Sequence, residues 1–513
     1  MGTEPARPGE DRWHLGLLHT LWAREAETGL VGRAPHWSAR HRPFPALLAL
    51  LAAVLPLAGV ALAAGASPLM TWPALLVLPV FLAQNLVRIL TVVQPPRWTE
   101  HAPLPDAALP SASLVLALYR EAAIIPALVK ALKAIDYPPD RLQILLVLEA
   151  SDRSTRLALE RQPLDARFEL LTVPPGAPQT KPRALNHALR HCRGRVIGVL
   201  DAEDRPALDQ LRRAAECFAR ANPRLACLQA PLNWFNRDEC WLTRLFALEY
   251  ACHFHALLPL YQRLGWPLPL GGTSNYFRSD ALHRVGGWDA WNVTEDADLG
   301  LRLHRMGYRC GLIEPMTLEE APITLAAWQA QRTRWLKGYI QTLSVHLGPD
   351  PQRRHLALPL IITLGGAVLS ALMGAPMLII AAVTGALMMA GQTGAALMAG
   401  LMGLGVMIQI LTALVAARRA GIPARTRDLF SLPLYEALKL RPVLRALYQL
   451  VHDPYLWEKT EHGVTAVATP TRPAAPCISP SPSPLPSSSA LSASSSLPAG
   501  APDSRHARNA APA

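Results

Sequence analysis

The chain has 513 residues, half of them hydrophobic and 17% charged, with 50 Lys and Arg against 38 Asp and Glu for a net charge of +12. Soluble domains carry about a quarter charged residues, so this composition excludes an ordinary soluble chain and predicts membrane spans beside one large folded domain. The basic residues are scattered and many flank apolar runs, with no zinc-finger spacing or basic helix, which excludes nucleic acid as the expected partner. The seven cysteines form no CxxC pair, which fits reduced thiols in a cytosolic domain rather than a disulfide framework or a zinc site.

Residues 1–44 are polar and read as a cytoplasmic N-terminal segment, with no secretory signal peptide expected. Arg33, Arg40 and Arg42 precede an uncharged apolar run over 45–65, and a second run covers 70–93 with Gln84, Asn85 and Arg88 towards its end. A span needs about 20 apolar residues, so 45–93 is expected to be a transmembrane hairpin whose Arg-rich start faces the cytoplasm. Residues 98–345 read as an α/β domain on that same side. The expected strands are 113–118, 143–148 and 195–200, with a helical pattern over 124–135, an alternation that implies a largely parallel sheet. Ligands of such sheets bind outside the carboxyl ends of the strands, where 119–121, 149–152 and 201–204 fall.

Residues 355–415 contain no Asp, Glu, Lys or Arg. Gly374-Ala-Pro376 and Gly391-Gln-Thr-Gly394 divide this run into three tight spans, about 356–373, 376–391 and 395–416, whereas the Arg-rich stretch 418–427 favours an even number. Two or three helices are therefore expected over 356–417, for four or five spans in all. Segment 432–463 combines an interfacial amphipathic helix over 432–451 with a C-terminal motif. The Pro, Ser and Ala tail 466–513 is expected to be disordered.

Five groups of residues carry candidate chemistry. In 199–206 (VLDAEDRP) an apolar strand runs into Asp201, Glu203 and Asp204. Clustered carboxylates repel unless a cation compensates, and Mg2+ or Mn2+ commonly takes one or two carboxylates plus substrate phosphates. An acidic turn before a helix would give the same letters. In 181–189 (KPRALNHAL) Lys181 stands at a helix start, suited to a phosphate, and Asn186 is placed to meet a ribose or phosphate oxygen; a solvated Lys is the plainer reading. Residues 271–278 (GGTSNYFR) permit close backbone approach to a ligand, or form a hairpin. In 294–299 (TEDADL) helical spacing puts Glu295 and Asp298 on one face and Asp296 elsewhere; a crowded carboxylate there can accept a proton, or the segment is simply a capped helix start. In 331–335 (QRTRW) Gln331 and Trp335 stack at i, i+4 beside Arg332, giving an indole platform for a sugar and a guanidinium for phosphate, or an aromatic anchor at a membrane interface.

In order and spacing, Tyr119-Arg-Glu121, Lys181…Asn186, Asp201-Ala-Glu203, Thr294-Glu-Asp296 and Gln331-Arg-Thr-Arg-Trp335 resemble the processive, cellulose-synthase-like membrane members of glycosyltransferase family 2, over about residues 45–463. The ending DPYLWEKTEHG (453–463) is similar to bacterial members of the group. The resemblance implies a GT-A-type (Rossmann-like) α/β domain combined with transmembrane helices, and an inverting transfer from a nucleotide sugar, a UDP-hexose, to a polysaccharide. Single transfer to a lipid or short glycan, or an inactive export component, are the alternatives. By the resemblance Tyr119 and Glu121 border the nucleoside and Lys181 meets the diphosphate, while Glu149, at the first position of an acidic pair for which Asp152 is the weaker candidate, Asn186 and Asp201 also serve the donor. Asp201 and Glu203 hold Mg2+ or Mn2+, Asp296 is the base, and Gln331, Arg332, Arg334 and Trp335 hold diphosphate and acceptor. Glu203 replaces the second Asp of the family's metal-binding pair, and Leu148-Glu-Ala-Ser-Asp152 departs from its usual acidic pair. No segment resembles a cyclic-dinucleotide-binding barrel.

Overall fold

The computed structural model describes residues 10–41, 68–347, 354–391 and 393–458. The first expected span, the segment 42–67, and the expected disordered tail lie outside the described residues. The strands are β1 (Ala112–Leu118), β2 (Leu142–Glu149), β3 (Phe168–Val173), β4 (Val196–Val199), β5 (Arg205–Pro206), β6 (Leu225–Gln229), β7 (Leu232–Trp234), β8 (Asn275–Arg278), β9 (Arg309–Leu312) and β10 (Thr317–Glu319). A seven-stranded sheet runs β3-β2-β1-β4-β8-β6-β9, and β5-β10-β7 form a small second sheet. Only β8 is antiparallel to its neighbours in the large sheet, pairing β4 on one side and β6 on the other. The expected largely parallel α/β architecture is therefore present. All eight residues of β2 (LQILLVLE) are buried, as expected of a parallel strand covered on both faces.

Chain order reverses between β1 and β4: from β1 the chain proceeds to β2 and β3 on one side, then returns to β4 on the other. A crevice opens at such a switch point, outside the carboxyl ends. Tyr119 and Glu121 follow β1, Glu149 ends β2, and Asp201 follows β4. Residues 271–278 do not form a hairpin: β8 is an inserted antiparallel strand, and residues 271–274 become a loop at the crevice. Gln229 fastens that loop, accepting from the Gly271 N–H at 2.8 Å and donating to the Thr273 carbonyl at 3.0 Å.

Beyond the sheet, the helix Leu325–His346 is started by Thr324, whose hydroxyl accepts from the Ala327 N–H at 3.3 Å. The helices Pro68–Val93, Arg354–Leu360, Gly366–Met389 and Thr393–Ala420 form an apolar layer. Within it, Leu356–Met389 and Ala399–Ala420 are long and apolar enough to cross a membrane. The break expected at Gly374-Ala-Pro376 is absent: one helix runs through Pro376. Gly374 marks a close approach instead, since a Cβ there would lie 2.5 Å from the Glu436 carbonyl oxygen. Of the two or three helices expected over 356–417, the described residues contain two that are long and apolar enough to cross a membrane. At Pro359, which lacks an N–H to give, a π-turn over Ile361–Gly365 follows, and Thr363 Oγ1 donates to the Pro359 carbonyl at 2.8 Å. The Arg419 guanidinium closes one end of the layer, donating to the Thr91 and Val92 carbonyls at 2.8 and 3.1 Å.

Segment 432–451 is two helices, Leu432–Ala437 and Leu440–His452, rather than one. Val443, Ala446 and Leu450 pack on Leu336, Ile340 and Leu372, while Leu444, Tyr448 and Val451 form an exposed apolar stripe on the other side. The six described cysteines are all free.

Candidate active site

One cavity of ≈ 640 Å3 runs from the carboxyl ends of β1, β2 and β4, past the start of the helix Glu295–Arg305, to the helices of the apolar layer. At its sheet end, Lys181 opens the helix Lys181–Leu189 and projects into the cavity. Its ammonium donates to the Asp201 carboxylate and, at 2.6 Å, to the Gly272 carbonyl. Burial alone would lower its proton affinity, but Asp201, Glu295 and Asp204 raise it above the ordinary lysine value. Asp204 lies behind Asp201, accepting from the Asp201 N–H at 2.8 Å and from the Thr273 hydroxyl. Glu203 faces the cavity, and burial together with Asp201 and Glu121 pushes it up to about 8. Burial followed by the charges of Asp204, Glu203 and Asp201 also raises Glu319 on β10 well above the carboxylate range.

This donor set suits a hard divalent cation, because several oxygens compete for protons around a single ammonium group. Asp201, Glu203 and Glu319 are the members that line the cavity. Among the described residues no three metal-ligating side chains converge, so further ligands would come from a bound diphosphate and water, as is common for Mg2+.

The cavity's middle is the start of the helix Glu295–Arg305. Asp296 Oδ1 accepts from the Ala297 N–H at 2.8 Å. Its second oxygen faces Gly272, where a Cβ would meet it at 3.3 Å. Burial raises the Asp296 carboxyl above its usual value, against the pull of the Ala297 N–H, Lys181 and Arg334. Glu295 also lines the cavity and is pushed up to about 8 by burial and by Asp296. Adjacent residues in the first helical turn therefore share one cavity, contrary to the expected separation of faces. Asp298 is instead sealed in the core, accepting from Arg302 Nε at 2.6 Å and pairing with His346 Nε2 at 2.9 Å. Burial would raise its carboxyl, but Arg302 and His346 outweigh that and lower it.

The far wall is the helix Leu325–His346, from which Gln331, Arg332, Arg334 and Trp335 all line the cavity. Among the described residues the buried Gln331 Oε1 has no hydrogen-bond partner, which leaves it able to accept from a group in the cavity. Arg334 stacks 4.6 Å over the Trp457 ring and draws Asp296 and Glu295 towards their charged forms. Arg332 has a different role. It clasps the Glu249 carboxylate with both Nη atoms, receives the Phe246 and Trp335 rings at 4.3 and 4.6 Å, and meets the Tyr435 hydroxyl at 3.2 Å. Its guanidinium is thus engaged by Glu249 and stacked against Trp335 while still lining the cavity.

The site residues thus divide. Tyr119, Glu121, Glu149, Lys181, Asp201, Glu203, Asp296, Gln331, Arg332, Arg334 and Trp335 meet in one cavity. Glu149 does so while ion-paired to the buried Arg183 at 3.6 Å, with burial raising its carboxyl. Asn186 does not join them, which corrects its expected donor role. Its amide donates to the Ala26 and Trp288 carbonyls at 3.1 and 2.7 Å and accepts from the Trp288 N–H at 2.9 Å, joining the helix Glu10–Arg33 to the segment that leads to Asp296. Asp152 is a cap, accepting from the Thr155 N–H at 3.1 Å at the start of the helix Arg153–Glu160. Sequence reading missed Glu249, whose single acidic letter lies inside the apolar helix WLTRLFALEYAC. It also missed Gly338: a Cβ there would lie 2.4 Å from Thr294, so its absence lets the helix carrying Arg334 touch the turn carrying Asp296.

Residues 196–415 match the family model described as "Glycosyl transferase family group 2". The chain is 31% identical over 236 residues to a beta-monoglucosyldiacylglycerol synthase of Synechocystis sp., covering 45% of this chain and 48% of that protein. It is 26% identical over 214 residues to glucomannan 4-beta-mannosyltransferase 2 of Arabidopsis thaliana, covering 40% of each. Among solved structures, a mannosyltransferase from Pyrobaculum calidifontis in complex with GDP-Man and Mn2+ aligns at a TM-score of 0.47 and 18% identity, over 77% of this chain and 99% of that one. The chain spans about half the length of the curated relatives it matches. By sequence it is similar to glycosyltransferases of family group 2, and the match over 196–415 takes in Asp201, Asp296 and the helix carrying Gln331 to Trp335.

Proposed function

We propose that the protein is a membrane-bound inverting glycosyltransferase with a GT-A-type domain, moving a hexose from a nucleotide sugar, a UDP-sugar first, to an acceptor hydroxyl. The observation that carries this reading is a single cavity in which a buried carboxylate of raised proton affinity, Asp296, stands between two groups. On one side are Lys181, Asp201 and Glu203, and on the other Gln331, Arg334 and Trp335. The nucleoside lies by Tyr119, Glu121 and Glu149, and the diphosphate by Lys181 and Arg334. Mg2+ or Mn2+ held by Asp201 and Glu203 would neutralise charge on the departing diphosphate.

Asp296 accepts the proton of the acceptor hydroxyl as its oxygen bonds to the anomeric carbon. The bond from that carbon to the diphosphate oxygen breaks with its electron pair, and configuration inverts. Glu295 tunes the Asp296 proton affinity. Trp335, held by Arg332, offers its indole to the acceptor ring or chain. Arg418 and Arg419 stand in the last turn of the second long apolar helix, and Arg425 and Arg427 follow it, which supports a cytoplasmic catalytic domain by the positive-inside rule.

The acceptor has two readings. The sequence resemblance favours a polysaccharide, as does the glucomannan relative's name. The diacylglycerol synthase's name favours a lipid. The experiment is transfer by purified full-length protein from UDP-glucose, UDP-GlcNAc and GDP-mannose, scored by nucleoside diphosphate release with Mn2+ and with excess chelator. Metal-dependent turnover of one donor is expected; no turnover of any donor under either condition would count against the reading.

A further inference from the structure

A second cavity of ≈ 160 Å3 lies between the helices Pro68–Val93, Gly366–Met389 and Thr393–Ala420. Its inner wall is Phe81, Leu369, Met373, Met377, Met402 and Val406. The mouth is polar and belongs to both cavities: Gln84, Arg88, Ser370, Gln409 and Glu436 line this space and the catalytic cavity alike. At the other end Leu378 lines it and is 37% exposed, beside the exposed Ile379 and Val383 on the same helix. The space therefore leads from an apolar outer surface, through a mostly apolar interior that also holds Asn85, whose amide donates to the Phe81 carbonyl at 2.9 Å, to a polar collar that opens on the larger cavity.

We propose that this side cavity holds an acyl chain of the acceptor, which is a membrane lipid bearing a free hydroxyl on its headgroup. The proposal rests on the transferase reading and names its acceptor. An apolar cavity of roughly 150 Å3 takes hydrocarbon the size of benzene, so this space fits a stretch of an acyl chain whose remainder leaves past Leu378, and flexible methionines adapt to a chain of variable shape. A glycan is a poor occupant, because its hydroxyls would be buried against Phe81, Met377 and Met402 without partners. A lipid entering beside Leu378 lays its chain on the methionines, places its polar linkage at Gln84, Arg88 and Gln409, and directs its hydroxyl towards Asp296. Among the described residues Arg88 forms no ion pair, so its guanidinium is available to ester or headgroup oxygens at that collar.

The test uses full-length protein in nanodiscs and two readouts. A diacylglycerol with a diazirine in its acyl chain should label peptides containing Met373, Met377 or Met402 on irradiation. Excess dioleoylglycerol should suppress the labelling, and Met402→Trp, which fills the cavity, should reduce it at least fivefold. This readout needs no donor turnover, so its failure is distinguishable from failure of the transferase reading. In the second readout, dioleoylglycerol should accept sugar while glycerol and a cello-oligosaccharide do not. Met402→Trp and Met377→Trp should lower the ratio of lipid transfer to donor hydrolysis at least tenfold. Labelling spread over Ile379 and Val383 without competition, or sugar transfer to the cello-oligosaccharide in preference to the lipid, would overturn the proposal.

Discussion

At the scale of single residues, the site depends on how burial divides three acids within four positions. Asp298 is fixed as a charged partner of Arg302 and His346, whereas Asp296 and Glu295 face a cavity and hold protons more tightly than free carboxyls. The raised Asp296 carboxyl sets the direction of the pH profile. Below its proton affinity it is protonated and cannot act as a base, so kcat/KM should fall as pH drops, along a limb lying above the ordinary carboxylate range. That limb should be absent from the residual activity of Asp296→Asn; an unchanged limb in that variant would assign it elsewhere.

Glu249 illustrates the opposite case. Burial alone would raise its carboxyl, but Arg332, Lys439 and Tyr435 overcome that and hold it at about 2. Glu249→Gln leaves Arg332 without its counter-charge and Lys439 with Glu436 alone, which costs on the order of 3 kcal/mol for a buried pair, and it frees Arg332 to shift from Trp335. Thermal unfolding should register the loss of stability, and acceptor KM should rise more than donor KM. Equal effects on both substrates would argue that Arg332 contacts the donor directly. Asn186→Ala removes three hydrogen bonds made by a side chain that does not line the cavity. It should lower stability by ~1–3 kcal/mol while leaving the donor Kd, measured by calorimetry, unchanged.

At the scale of elements, two helices approach closely where one of them carries no side chain. Gly338 in the helix Leu325–His346 lies against Thr294, and the same helix is tied to the turn by Gln341 Oε1 accepting from the Val293 N–H at 3.1 Å. Gly338→Val should force the helix away and move Arg334 and Trp335 from Asp296. A loss of turnover greater than tenfold is expected in a protein that still inserts into membranes. Near wild-type turnover would show that this helix does not set the geometry.

The elements most legible in sequence were the central strands β1, β2 and β4, because burial on both faces makes them continuous apolar runs ending in polar residues. β8 was not legible as an antiparallel insertion, because NYFR is a short segment whose partners β4 and β6 lie more than 40 residues away. Gly374-Ala-Pro376 read as a chain break because Gly and Pro disfavour helix interiors. In the folded chain the same glycine serves contact with Glu436, and the helix continues. The positions of Lys181, Asp201 and Asp296 followed from motifs, but the environment of Asn186 did not. Its partners Ala26 and Trp288 lie 160 and 102 residues away, and no local pattern reveals them.

At the scale of the whole molecule, a largely parallel sheet presents carboxylates and an ammonium group to one end of a cavity, and an apolar helical layer closes the other end. The account unites a polar donor site with an acceptor supplied from the helices, with Asp296 at their meeting point. The most direct test of that claim is single-turnover sugar transfer from a bound nucleotide sugar, comparing the full-length protein with Asp296→Asn at matched donor occupancy. The account predicts unchanged donor binding and transfer slowed by ~10²–10⁴-fold or more, with Glu295→Gln affected far less. Near wild-type transfer by Asp296→Asn would contradict it.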